Sequence, residues 1–177
     1  MKTILITGAT SGIGLAAAKK LANKKNQLIL CGRRQRKLDE ISEELSKSAN
    51  ILSLCFDVSN KNEVSKLLGN LPKGFRSIDI LINNAGNAHG LDTIQDGSLD
   101  DWDNMFDSNV KGLLYVSRVI MPKMIEQKSG HIINIGSLAG REVYEKGNIY
   151  CATKHAVNAI SKAMRIDLNK TGIKVSE

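Results

Sequence analysis

A chain of 177 residues is long enough for one domain with a sizeable core and too short for two comfortable ones. Hydrophobic residues at 42% and charged residues at 24% describe a soluble globular protein; no apolar run approaches the ~20 residues of a bilayer-spanning helix, and the first residues lack the pattern of a signal peptide. The excess of 25 Lys+Arg over 18 Asp+Glu would suit a nucleic acid, an acidic protein or a phosphorylated ligand, but aromatics at 4% are too few for base stacking and most lysines fall on the polar faces of expected helices.

Residues 2–7, Lys-Thr-Ile-Leu-Ile-Thr, form the short apolar run of a buried parallel strand. The run breaks into Gly8-Ala9-Thr10-Ser11-Gly12-Ile13-Gly14, and an amphipathic helix is expected from Leu15. Three glycines between a strand and a helix allow a sharp turn, a close approach of a pyrophosphate to the backbone, and a helix lying tight on its sheet. The free N–H groups of the helix's first turn then face the phosphates. A second apolar run over 27–31 closes with Gly32-Arg33-Arg34, and a polar helix carrying Leu38, Ile41 and Leu45 follows. A third strand over 51–56 ends at Asp57, and Asn60 is expected to cap a helix containing Val64, Leu67 and Leu68. The fourth strand, 78–82, closes with Asn83-Asn84-Ala85-Gly86.

Ser98 with Asp101 resembles a capping box. One long helical pattern then runs to about Gln127, with Val110, Leu113, Leu114, Ser117, Met121 and Met124 on one face and Pro122 expected to kink or close it. A fifth strand spans 131–136, a further helix opens at Tyr150 and reaches about Lys170, and 174–176 looks like the start of a sixth strand. Alternating strands and helices imply an α/β domain with a doubly wound parallel sheet and ligands at the carboxyl ends of the strands. Cys31, Cys55 and Cys151 stand apart, without metal-ligand spacing, and read as buried free thiols in a reducing cytoplasm. His89, His131 and His155 fit neither a triad nor a metal site and read as structural.

Tyr150-Cys151-Ala152-Thr153-Lys154 sets a phenol and an ammonium four residues apart on one helix face. A free phenol, with its pKa of ~10, is a poor acid–base catalyst at neutral pH. A cation ~4 Å away at an effective dielectric of ~20 is worth ~4 kcal/mol, about three pKa units, so one lysine can bring a phenol near neutrality. Ser137, at the end of the fifth strand, could hydrogen-bond a substrate carbonyl.

Together these residues resemble the short-chain dehydrogenase/reductase family, over essentially the whole chain. Thr7-Gly8-x-x-x-Gly12-Ile13-Gly14 matches the family's cofactor turn, Asn83-Asn84-Ala85-Gly86 its fourth-strand motif, and Asn109, Ser137, Tyr150 and Lys154 its catalytic tetrad. The stretches 131–141 and 147–152 look most like the NADP-dependent 3-hydroxy acid dehydrogenases that act on serine and allo-threonine. The resemblance implies a Rossmann-type fold and an NADP-dependent oxidoreductase that moves a hydride between nicotinamide and a small hydroxy acid or carbonyl compound. Tyr150 would be the general acid and base. Lys154 would lower its pKa and hold the nicotinamide ribose, Ser137 would steady the carbonyl oxygen, and Asn109 would hold a water relaying protons to Lys154.

Gly8, Thr10, Ser11, Gly12, Ile13 and Gly14 would form the cofactor turn. Asp57 would contact the adenine amine, with Asn83, Ala85 and Gly86 beside the adenosine ribose. Arg33 and Arg34 stand where NAD-users carry an acid, and a guanidinium there suits a 2′-phosphate, so NADP(H) is the expected cofactor. Arg141, four residues past Ser137, could face an anionic substrate group or simply solvent.

A β-ketoacyl-carrier-protein reductase is the alternative enzyme, and a non-catalytic dinucleotide-binding protein the alternative of another class. The expected partner is a small molecule, with no nucleic acid, no metal and no membrane; the expected assembly is a homo-oligomer, dimer or homotetramer, in the cytoplasm. The resemblance places two more strands, a helix and a substrate-covering segment past Glu177. The expectation is therefore one dinucleotide-binding and catalytic domain over 1–177, incomplete at its carboxyl end, with Val119, Ile120, Ile132, Ile133 and Ile135 needing cover.

Overall fold

The computed structural model describes residues 1–177. Six strands, β1 (Lys2–Thr7), β2 (Asn26–Gly32), β3 (Asn50–Cys55), β4 (Ile80–Asn83), β5 (Gly130–Asn134) and β6 (Ile173–Ser176), form one sheet in the order β3-β2-β1-β4-β5-β6. Every neighbouring pair is parallel. The chain steps outward from β1 to β3, then returns to the other side of β1 for β4, so the switch point lies between the carboxyl ends of β1 and β4.

Alternation along each strand divides the apolar side chains between two layers. On one face Leu5, Ile29, Leu81 and Ile132 pack against α3 (Lys61–Gly69), α5 (Leu113–Gln127) and α6 (Asn148–Asp167). On the other, Ile4, Ile6, Leu28 and Leu30 pack against α1 (Gly12–Leu21) and α2 (Gln35–Leu45). Of the five apolar residues expected to need cover, Ile120 on α5 and Ile132 on β5 are fully buried, while Val119, Ile133 and Ile135 are partly buried.

Local chemistry explains where the elements depart from expectation. α1 begins at Gly12 rather than Leu15, because Leu15 N–H already bonds Ser11 C=O. Asn60 caps α3 through bonds from Asn62 and Glu63 N–H. Ser98 accepts from Asp101 N–H at 3.3 Å, half of a capping box without the return bond. The single long helix is three pieces: α4 (Leu99–Phe106), a π-helical turn over Asp107–Gly112, and α5. That insertion rephases the apolar face, which in α5 runs Leu113, Val116, Ile120 and Met124 and leaves Leu114 exposed. Pro122 does not close the helix. It lies on the exposed side, and the stop is Lys128 in the left-handed region (φ 53°), with Ser129 N–H bonding Met124 C=O. α6 begins two residues before Tyr150 and ends at Asp167. Cys31 and Cys151 are buried, but Cys55 is exposed at the end of edge strand β3.

Candidate functional site

The carboxyl ends of β1, β2, β4 and β5 open onto a cavity of about 900 Å³. Gly8, Thr10, Ser11, Gly12 and Ile13 form its floor on the β1 side. Gly12 has φ +53° and open space where a side chain would stand, while an added Cβ at Gly14 would strike the Gly8 carbonyl and the Asn84 amide. Gly8, at φ +65°, makes the turn, Gly12 leaves open space, and Gly14 is a close packing contact. Ser11 makes no capping bond at the start of α1, so the first-turn N–H groups are available to an anion. A cradle open at Gly12 and lined by uncapped donors fits a dinucleotide's phosphates.

Arg34 lies over this floor and donates to Thr10 Oγ1 at 2.7 Å and to Ser11 Oγ at 2.9 Å. Arg33 pairs with Asp57 at 3.2 Å. Burial works against the Asp57 carboxylate, but bonds from Ser59 N–H and Oγ and the Arg33 charge together hold its pKa below the usual range. Both arginines, Asp57, Ala85 and Gly86 line the cavity.

Across the cavity stand Ser137, Tyr150 and Lys154. Lys154 Nζ donates to Ile135 C=O at 2.8 Å and lies 5.9 Å from the centre of the Tyr150 ring, with no direct hydrogen bond between the two side chains. Burial pushes the Lys154 ammonium's pKa down, against a smaller opposing pull from Glu177. Ser137 Oγ accepts from Ala139 N–H at 3.2 Å. Tyr150 also lines a second cavity of about 430 Å³, walled by the loop after β4, by α4 and by the loop before α6. One phenol thus borders both spaces, with a hydroxyl and an ammonium beside it.

Three expected site residues lie outside both cavities: Gly14, Asn83 and Asn109. Asn83 is buried, and its amide donates to Ser117 Oγ and Asn134 Oδ1. It shares the α5-facing side of β4 with Leu81, two residues earlier, so strand alternation turns it away from the cavity. Asn109 sits in the π-turn, where Oδ1 accepts from Asn87 N–H and Nδ2 donates to Asn87 C=O and Thr153 Oγ1, while the one proton of Ser108 Oγ is shared between Asn104 C=O at 2.9 Å and Asn109 Oδ1 at 3.1 Å. Its side chain clamps the loop after β4 against α6. Arg141 is exposed and lines neither cavity.

Some contributors stand within or beside the matched motifs without an assigned role. Asn84 stitches β4 to β1 through bonds to Thr7 C=O and Gly8 C=O, while Thr7 Oγ1 accepts from Asn84 and Ala85 N–H. Its place at the switch point was the available signal. His131 meets Ser176 Oγ and His155 meets Cys151 C=O, but His89, read as structural, lines the smaller cavity. Lys146 lines it too, and no motif marked it.

The sequence profile of the family described as short chain dehydrogenase matches residues 2–177. NADP-dependent 3-hydroxy acid dehydrogenase YdfG of Salmonella typhi is 41% identical over 174 residues, 98% of this chain and 69% of the relative. Sulfoacetaldehyde reductase 2 of Chromohalobacter salexigens is 41% identical over 175 residues, with the same shares of 98% and 69%. Among solved structures, the closed form of serine dehydrogenase complexed with NADP+ superposes with a TM-score of 0.92 at 42% identity, covering 98% of this chain and 69% of that one.

Proposed function

The chain belongs to the short-chain dehydrogenase family, and we propose that it is an NADP-dependent oxidoreductase acting on the CH–OH group of a small hydroxy acid, or on the matching carbonyl. The observation that carries this reading is the position of Tyr150, on the wall shared by a dinucleotide-sized cavity and a smaller one, beside Ser137 and Lys154. In the oxidising direction the substrate hydroxyl gives its proton to the Tyr150 phenolate while its carbon loses a hydride. In the reducing direction Tyr150 returns the proton to the carbonyl oxygen. NADP, held in the larger cavity, would supply the acceptor or donor of that hydride. Lys154 holds a positive charge near the phenolate, and Ser137 offers a hydroxyl to the substrate oxygen.

Gly8, Thr10, Ser11, Gly12 and Ile13 would hold the phosphates, with Gly14 and Asn84 keeping the turn in shape beneath them. Arg33 and Arg34 would meet the 2′-phosphate, and Asp57, Ala85 and Gly86 the adenosine. Asn83 and Asn109 act as supports in this reading. The names of the three relatives given above point to substrates with an anionic group: 3-hydroxy acids, serine and sulfoacetaldehyde. A homo-oligomeric, cytoplasmic enzyme is part of the same proposal. Exposed Phe106, Leu114 and Ile125 along the α4–α5 segment support self-association, and an exposed free Cys55 suits a reducing compartment.

The test is NADP reduction, and NADPH oxidation, against a panel of free hydroxy acids, ketones and carrier-linked ketoacyl groups. Turnover of free hydroxy acids is expected in the native protein. Tyr150→Phe should lower kcat by at least ~10²-fold while NADP still binds. Near-normal turnover in Tyr150→Phe would end this reading, and turnover of carrier-linked substrates alone would replace it.

A further inference from the structure

We propose that Lys146 is the specificity residue that binds the anionic group of the substrate, an inference that rests on the oxidoreductase reading of the Tyr150 site. Two basic side chains line the smaller cavity, Lys146 and His89. Two acids, Asp92 and Asp101, line it as well, and both converge on Gly90, where an added Cβ would lie 3.1 Å and 3.8 Å from their carboxylate oxygens. None of Lys146, Asp92 or Asp101 takes part in an ion pair. An anion entering this space is repelled by the two carboxylates, so the side on which it settles is set by the ammonium.

The backbone fixes where the lysine side chain starts relative to the phenol. Lys146 has φ 61°, a left-handed conformation that lysine seldom adopts and that persists where surrounding structure holds it. The next residue, Gly147, is buried tightly beneath Tyr144, whose ring an added Cβ would strike. Gly147 C=O accepts from Cys151 N–H at 2.8 Å, which makes it the first carbonyl of α6, three residues ahead of Tyr150. Asn148 Nδ2, at the start of α6, donates to Asp92 C=O at 2.9 Å and ties the turn bearing Lys146 to the loop bearing Asp92. The lysine is thus presented from a braced turn four residues before Tyr150. Arg141, the other cation of this loop, lines neither cavity.

Trp102, the chain's single tryptophan, lines the same cavity, so its fluorescence reports occupancy without requiring turnover. The native protein, Lys146→Met and Lys146→Arg are titrated with 3-hydroxypropanoate and with its neutral amide, with and without NADP, and KM and kcat are measured for the carboxylate. Lys146→Met should weaken carboxylate binding and raise its KM by roughly tenfold or more, leave kcat and amide binding within about twofold, and Lys146→Arg should restore most of the loss. Unchanged carboxylate affinity in Lys146→Met, equal losses for carboxylate and amide, or no carboxylate binding by the native protein would each overturn the proposal. A carboxylate that binds through Lys146 but is never oxidised counts against the oxidoreductase reading alone; turnover indifferent to Lys146→Met counts against the lysine alone.

Discussion

At the scale of single residues, the glycine turn separates packing from ligand access. A methyl at Gly14 would meet the Gly8 carbonyl and the Asn84 amide, neither of which can move without breaking the stitch between β1 and β4. Gly14→Ala should therefore destabilise the fold by ~1–3 kcal/mol, the usual range for overpacking. A methyl at Gly12 meets nothing and incurs only left-handed strain of ~1–2 kcal/mol, yet it would stand in the cradle. Urea unfolding and NADP titration together should show Gly14→Ala as chiefly a stability variant and Gly12→Ala as chiefly a binding one; the opposite pattern would overturn the assignment of the two glycines. Lys154 offers a second contrast. Its ammonium is buried with one carbonyl partner, and burial lowers its pKa, so the folded state binds that proton less well than the unfolded chain does. The folded protein bears the full cost of that charge below the lowered pKa and sheds it as pH rises from there toward the value of a free lysine. Lys154→Met should lose at least ~10²-fold in turnover without lowering Tm at neutral pH, and any gain in Tm should shrink as pH rises through that window. A large loss of Tm at pH 7 would show that the carbonyl bond outweighs burial.

Among the elements, α5 illustrates what pattern alone can and cannot locate. Periodicity and the proline were both visible in the sequence, but the π-turn was not, because one extra residue in a helix leaves no compositional trace while it rotates every later side chain. The proline was overvalued for a related reason: on an exposed face its neighbours' free carbonyl can turn to water. The helix ends instead on Lys128 at φ 53°, a position where glycine ordinarily stands. Lys128→Gly removes the cost of a left-handed Cβ and gives back part of the gain through greater freedom of the unfolded chain. The net expectation is a stabilisation of ~0.5–1 kcal/mol with kinetics unchanged, read by thermal unfolding. A lower Tm would mean that the Lys128 side chain contributes a contact of its own.

For the whole molecule, the placement of the site follows from one fact visible in the chain, that each of the first five strands leads into a residue able to meet a ligand. Gly8, Gly32, Asp57, Ala85 and Ser137 all come to the carboxyl edge because every strand is parallel, and parallel strands point the same ends the same way. Residues one position off that edge, such as Asn83, could not be told from it by sequence, since alternation decides the face and the strand's last residue was uncertain by one. The smaller cavity was less legible still: Lys146, His89 and Trp102 come from three separate segments that only the fold brings together.

On the proposed reading the same convergence would set cofactor choice, and a ligand bound only by the folded state stabilises the entire domain. A ligand that binds only the folded state at ~100 times its Kd adds ~2.7 kcal/mol, which for a chain of this size raises Tm by roughly 5–10 °C. Arg34 is held over the cradle by two hydroxyls rather than by an acid, so a 2′-phosphate can recruit it without breaking an ion pair, whereas Arg33 must leave Asp57. NADP should therefore raise Tm more than NAD at equal concentration. Arg34→Ala should change the unliganded Tm little, because the guanidinium makes no ion pair and its bond to Ser11 is exposed, and should reduce the NADP shift to that of NAD. Equal shifts for the two cofactors in the native protein, with equal kcat/KM, would remove the arginines from cofactor selection and leave them as a surface turn.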